Sequence, residues 1–118
     1  MKRLTIVVRQ TEISKLFPQG LELSLKDDAS VLDAIEAVDM EIKRKSPTFP
    51  VRNRRSLLQM VYLSTENRFY KQVAIQASSK NERFLNVREN PKMPLPDETI
   101  VILVPEGGCT TDWEEPVR

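Results

Sequence analysis

LELSLKDDASVLDAIEAVDMEI, residues 21–42, changes its period halfway along. Leu21, Leu23 and Leu25 alternate with Glu22, Ser24 and Lys26, the pattern of a half-buried strand. From Val31 onward the apolar residues fall at spacings of three and four: Val31, Ala34, Ile35, Val38 and Ile42. That spacing lines one face of a helix. Ser30-x-x-Asp33 resembles a capping box at its start. Lys43, Arg44 and Lys45 suit the negative end of the helix dipole, and Pro47 and Pro50 end the helix. Asp33, Glu36, Asp39 and Glu41 occupy the other positions. A helix with a single apolar stripe must lie on a sheet.

Working outward, Leu4, Ile6 and Val8 share one face of a strand, and Thr5, Val7 and Arg9 share the other. Phe17-Pro18-Gln19-Gly20 supplies turn chemistry, so the first two strands are read as a hairpin. Beyond the helix, residues 57–63 and 69–77 read as strands, with Val73 and Ile75 inward. Residues 78–82 read as a loop and 83–87 as a short strand. Pro91, Pro94 and Pro96 constrain a loop over 90–97, and the final strand is Thr99-Ile100-Val101-Ile102-Leu103-Val104. Runs of strands around one amphipathic helix indicate an α+β layer pair.

The chain has 118 residues, a formal net charge of +1, no histidine and one cysteine. This length suits one domain that buries about two-thirds of its unfolded surface, without disulfides or metals. Without histidine and with a lone cysteine, no intrachain disulfide, Cys/His zinc site, Ser-His-Asp triad or Cys-His pair can form. No constellation of carboxylates or lysines takes their place, so the chain reads as something acted upon, not an enzyme. The longest apolar run, Ile100 to Val104, falls far short of the roughly 20 residues of a membrane span. Met1-Lys2-Arg3-Leu4 lacks the apolar core of a signal peptide, so a cytoplasmic location is expected and no membrane partner.

Gly107-Gly108 lies just past the final strand, followed by Cys109 to Arg118. Glycine has no Cβ, so this pair can be threaded where no other dipeptide fits. The hairpin from Leu4 to Leu25, the helix launched by Ser30-Val31-Leu32-Asp33, the lead-in Leu95-Pro96-Asp97-Glu98 and the Gly-Gly pair occur in a telling order. Together they resemble the β-grasp ubiquitin-like superfamily, which includes the ubiquitin-like modifiers and the ThiS/MoaD-type sulfur carriers. The resemblance implies a β-grasp mixed sheet packed on one main helix over residues 1–106, with a flexible Gly-Gly tail over 107–118 of which 109–118 is a removable extension. The extension departs from sulfur carriers, which usually end at the second glycine. The body is also longer than the smallest family members.

What the resemblance implies chemically follows from that tail. A JAMM-type processing protease would cut between Gly108 and Cys109. An E1-like activating enzyme would then use ATP to adenylate the Gly108 carboxylate, with Gly107 supplying slack; no cofactor is expected on this chain itself. A side chain at either position would obstruct the path of the carboxylate to the phosphate, where positioning supplies much of the acceleration. A thiol relay through an E2-like enzyme would join the acyl group to lysines of target proteins, making an isopeptide bond. Alternatively a sulfur donor would convert it to a thiocarboxylate, making a sulfur carrier. A third reading is a non-covalent β-grasp subunit of a larger complex. The retained extension favours the modifier precursor, since reversible modifiers commonly travel with a processing protease.

Three other features invite a role. Cys109 has no histidine to activate it and mostly acidic neighbours, so it reads as the first residue of the discarded extension, not a nucleophile. Trp113 is either a protease anchor or a contact with the body. If Ile100 and Ile102 face the helix, Val101 and Leu103 face away from it. With Val7 these would form an apolar patch beside the tail, either open to a partner or covered by the long middle segment. Lys43, Arg44, Lys45, Arg52, Arg54 and Arg55 form a basic stretch with Phe49 as its single aromatic. Single-strand binders interleave aromatics with their cations, so nucleic acid is not the expected partner.

Overall fold

The computed structural model describes residues 1–46 and 56–105. Strand β1 (Lys2–Val8) turns Leu4, Ile6 and Val8 into the core, as its alternation predicts. It pairs antiparallel with β2 (Leu21–Leu25), with Leu4 opposite Leu23. The connection holds a helix that the sequence reading did not anticipate, α1 (Thr11–Leu16). Gln10 caps it, its Oε1 accepting from the Ile13 N–H at 2.8 Å, and Ile13 plugs into the core. At six residues this helix is too short to declare a period. The chain returns to β2 through Gly20, whose φ is +85°. A Cβ there would sit 2.9 Å from Val7 Cγ2 and 3.0 Å from the Ile6 carbonyl oxygen, so the turn needs glycine on both counts.

The period change after β2 does produce a helix, α2 (Val31–Lys45), with Val31, Ala34, Ile35, Val38 and Ile42 all buried. Asp33 closes its first turn: the Ser30 N–H donates to Asp33 Oδ2 at 2.9 Å. At the other end Lys45 Nζ donates to the Leu16 carbonyl at 2.7 Å and lies over the Phe17 ring, and Arg44 pairs with Glu41.

The middle of the chain departs from expectation. Residues 57–63 are not a strand: Leu57–Val61 form the short helix α3, and only Tyr62–Leu63, β3, is extended. Ser56 and Gln59 make a capping box, and the Asp39 carboxylate of α2 accepts from the Leu57 and Leu58 N–H groups at 2.6 and 3.2 Å. Unpaired N–H donors of a first turn are costly when buried, and these are met by side chains. The expected strand over 69–77 splits in two. Strand β4 (Arg68–Phe69) pairs with β3, and β5 (Ala74–Ser78) joins the main sheet. Val73 is buried and Ile75 half-buried. Residues 83–87 form no strand; Leu85 makes a single bridge to Ala77, its N–H donating to the Ala77 carbonyl at 2.9 Å. The final strand is β6 (Thr99–Val104), with the predicted bounds.

The main sheet has the order β2-β1-β6-β5, with β1 and β6 parallel at its centre and the outer pairs antiparallel. Its inner face joins the stripe of α2 in one core. This mixed sheet packed on one main helix is an α+β β-grasp arrangement. No helix among the described residues is long and apolar enough to cross a membrane.

Candidate functional site

The site of interest is the outer face of the sheet and the end of β6 that leads to Gly107-Gly108. Gly107, Gly108 and Cys109 themselves lie outside the described residues, as do Trp113, Phe49, Arg52, Arg54 and Arg55.

Strand β6 is held from both sides. Leu4, Thr5, Ile6, Val7 and Val8 run in register with Thr99, Ile100, Val101, Ile102 and Leu103, while Ala74 to Ser78 pair with Val104 to Ile100. The Arg9 N–H donates to the Leu103 carbonyl at 2.8 Å, extending the ladder to the strand's last turn. Its start is pinned as firmly. The Arg3 N–H donates to Asp97 Oδ1 at 2.7 Å, the Glu98 N–H to the Arg3 carbonyl at 2.8 Å, and Thr99 Oγ1 to the Pro96 carbonyl at 2.7 Å. Glu98 holds a left-handed φ of 58° where the loop swings into the strand.

Beneath this junction lies a buried lysine. Lys2, 4% exposed, donates from Nζ to the carbonyls of Asp27, Ala29 and Leu95 at 2.8, 2.7 and 2.6 Å. All three donors of the ammonium are used, so the charge is solvated by backbone dipoles in place of water. One side chain thus ties β1, the loop before α2 and the approach to β6. Composition reading missed it, because a lysine beside the N-terminus reads as solvated. Its place in the alternation, in phase with Leu4 and Ile6, was the available signal.

The apolar patch is real but its phase is reversed. Val101 and Leu103 are fully buried and belong to the core; they do not line an exposed surface. The parallel register carries β1's phase across: Ile6 sits beside Val101, and Val8 beside Leu103. The outer face instead presents Ile100, 48% exposed, with half-buried Ile102, Val104 and Val7. Every residue from Ile100 to Val104 is aliphatic, so the strand's own sequence carries no alternation from which to choose.

At the far end of this stripe Arg3, Thr5, Ser78, Lys80, Glu98 and Ile100 line a shallow groove of about 380 Å³. No ion pair engages Arg3 or Lys80 among the described residues. The basic stretch is partly consumed by structure, since Arg44 binds Glu41 and Lys45 binds the Leu16 carbonyl. No group of three or more Cys, Asp or Glu side chains among the described residues could hold a metal ion.

The face therefore has three parts: a rigid central strand, an aliphatic stripe along it, and a cationic groove at the strand's start. No family model, curated protein or solved structure matches this chain.

Proposed function

We propose that the chain is a ubiquitin-like modifier precursor, cut after Gly108, adenylated at the Gly108 carboxylate by an E1-like enzyme with ATP, and joined to lysines of target proteins. The observation that carries this reading is the position of the Gly-Gly pair. It follows the central strand of a β-grasp sheet after only Pro105 and Glu106. A strand paired on both sides is a rigid mount, and two residues without Cβ atoms form a slender lead that an enzyme channel can grip while the folded body stays outside. The Ile100 stripe beside that lead offers an activating enzyme an apolar hold, because exposed apolar patches commonly mark partner sites. The processing protease is of the JAMM type, an E2-like enzyme relays the acyl group, and the pathway is cytoplasmic.

The decisive experiment is ATP–pyrophosphate exchange with the cognate activating enzyme, comparing residues 1–108 with the same chain carrying Gly108→Ala. Exchange by the first and its loss in the second, with both melting alike, is the expected result. Equal exchange by both would overturn the threading argument. If exchange occurs but the product is a C-terminal thiocarboxylate with no conjugates, the chain is a sulfur carrier.

A further inference from the structure

Three carbonyl oxygens, of Asp27, Ala29 and Leu95, converge on Lys2 Nζ at 2.8, 2.7 and 2.6 Å. They come from two loops, one before α2 and one before β6, while Lys2 stands on β1. We infer that these oxygens form a receptor for a primary ammonium, that Lys2 fills it from within the chain, and that filling it latches both loops onto the sheet.

The chemistry of the cage selects that ligand class. It presents three backbone carbonyls to the ammonium, so it calls for a donor with three protons. An ammonium at the end of an alkyl chain has three N–H donors and no acceptor. An ion such as calcium takes about six to eight oxygens, more than the cage supplies. No carboxylate pairs with Lys2 among the described residues: the Asp27 carboxylate lies 3.5 Å from the N-terminal amine instead, and the other ion pairs lie elsewhere. Lys2 is buried in phase with Leu4 and Ile6, so the alkyl stem behind the ammonium is part of the fit. The ligand class is therefore a primary alkylammonium.

Emptying the cage affects its three oxygens unequally. The Ala29 carbonyl keeps a second donor, the Leu95 N–H at 3.0 Å. Asp27 is exposed, so water can replace the ammonium there. Leu95 is 3% exposed, and its carbonyl has no other donor among the described residues. A buried carbonyl without a partner is costly, so the loop before β6 must open to hydrate it. Ala29 goes with it through the Leu95 bond, and so does Glu98, whose N–H donates to the Arg3 carbonyl from the end of the same loop.

The test is amide hydrogen exchange by NMR on the full chain. Lys2→Ala removes three methylenes and the ammonium, the outline of n-propylammonium. Exchange at Ala29, Leu95 and Glu98 should rise about tenfold or more. Tyr70, bonded to the Val61 carbonyl, and Leu85, bonded to the Ala77 carbonyl, should not move. n-Propylammonium chloride should restore slow exchange and saturate; tetramethylammonium chloride, which has no N–H, should not. Lys2→Met fills the stem's space without the charge, so it should exchange as fast as Lys2→Ala and resist rescue. If Lys2→Ala does not fold, n-propylammonium should restore its tyrosine near-ultraviolet circular dichroism. In the native chain, where Lys2 reacts only through opening, acetic anhydride should acetylate it at least about tenfold more slowly than exposed Lys80. Equal acetylation of the two lysines would overturn the latch. So would unchanged exchange in Lys2→Ala, rescue by both salts alike, or no rescue by n-propylammonium. These measurements use neither protease nor activating enzyme, so their failure is distinct from failure of the modifier reading.

Discussion

At the scale of single residues, two buried polar groups have opposite fates. Lys2 satisfies every proton of its ammonium on backbone carbonyls and is integral to the junction that feeds β6. Tyr62 is buried, packs edge-on to Phe69 with ring centroids 5.3 Å apart, and its hydroxyl has no hydrogen-bond partner among the described residues. Burial pushes its pKa up, so it stays neutral through the ordinary range. A buried hydroxyl without a partner loses its bonds to water and gains nothing in return. Tyr62→Phe should therefore keep the aromatic contact and leave stability unchanged or raise it by about 1 kcal/mol in urea unfolding. A loss of that size would mean the hydroxyl has a partner.

At the scale of elements, the phase of β6 can be tested directly. Val101→Asp places a carboxylate in the core and should cost about 4 kcal/mol or more, enough to unfold much of the protein. Ile100→Asp, one residue earlier on the outer face, should cost about 1 kcal/mol, the span of strand propensities. Thermal melts of the pair would decide it, and the reverse ranking would restore the phase expected from sequence.

The join between α2 and α3 makes a pH-dependent prediction. Burial raises the Asp39 pKa above its ordinary 3.8, only partly offset by the N–H groups of Leu57 and Leu58 that donate to it. In the window between 3.8 and the raised folded value the native state holds more proton than the unfolded chain. Stability from this group is thus fully present below 3.8 and is lost as pH rises through the folded pKa. Urea unfolding of the native protein and of Asp39→Asn across this range should show the native protein losing ground to the variant as pH rises. The opposite slope would mean that the two N–H bonds outweigh burial.

At the scale of the whole molecule, the predicted cut changes charge as well as mass. It removes Asp112, Glu114, Glu115 and Arg118, so the formal charge moves from +1 to +3 and isoelectric focusing should resolve the two forms. The proposed conjugation would leave a particular trace. The basic residue nearest upstream of Gly108 is Lys92, so trypsin would leave a branch running from Met93 to Gly108 on target lysines. A peptide search restricted to a two-glycine remnant would pass over it. Recovery from native cells of only the uncut chain, alongside an active pathway, would defeat the maturation scheme.

Sequence alone determined those features whose pattern is local and unambiguous. The alternation of Leu4, Ile6 and Val8, the helical stripe from Val31 to Ile42 and the bounds of β6 each declare themselves within a few residues. Together with Gly107-Gly108 they supported an α+β reading and a site at the chain's end. Tertiary structure decided the rest, because those choices depend on partners distant in sequence. Residues 57–61 are apolar enough for either state, and Asp39, eighteen positions before Leu57, helps make them helical by accepting their first N–H donors. Lys2 becomes a core residue only because the carbonyls of Asp27, Ala29 and Leu95 converge on it. In β6, where both faces are aliphatic, the pairing with β1 and β5 assigned Val101 and Leu103 to the core and left Ile100 exposed: a strand's period is written in its own residues, but its phase is set by the neighbours it pairs with.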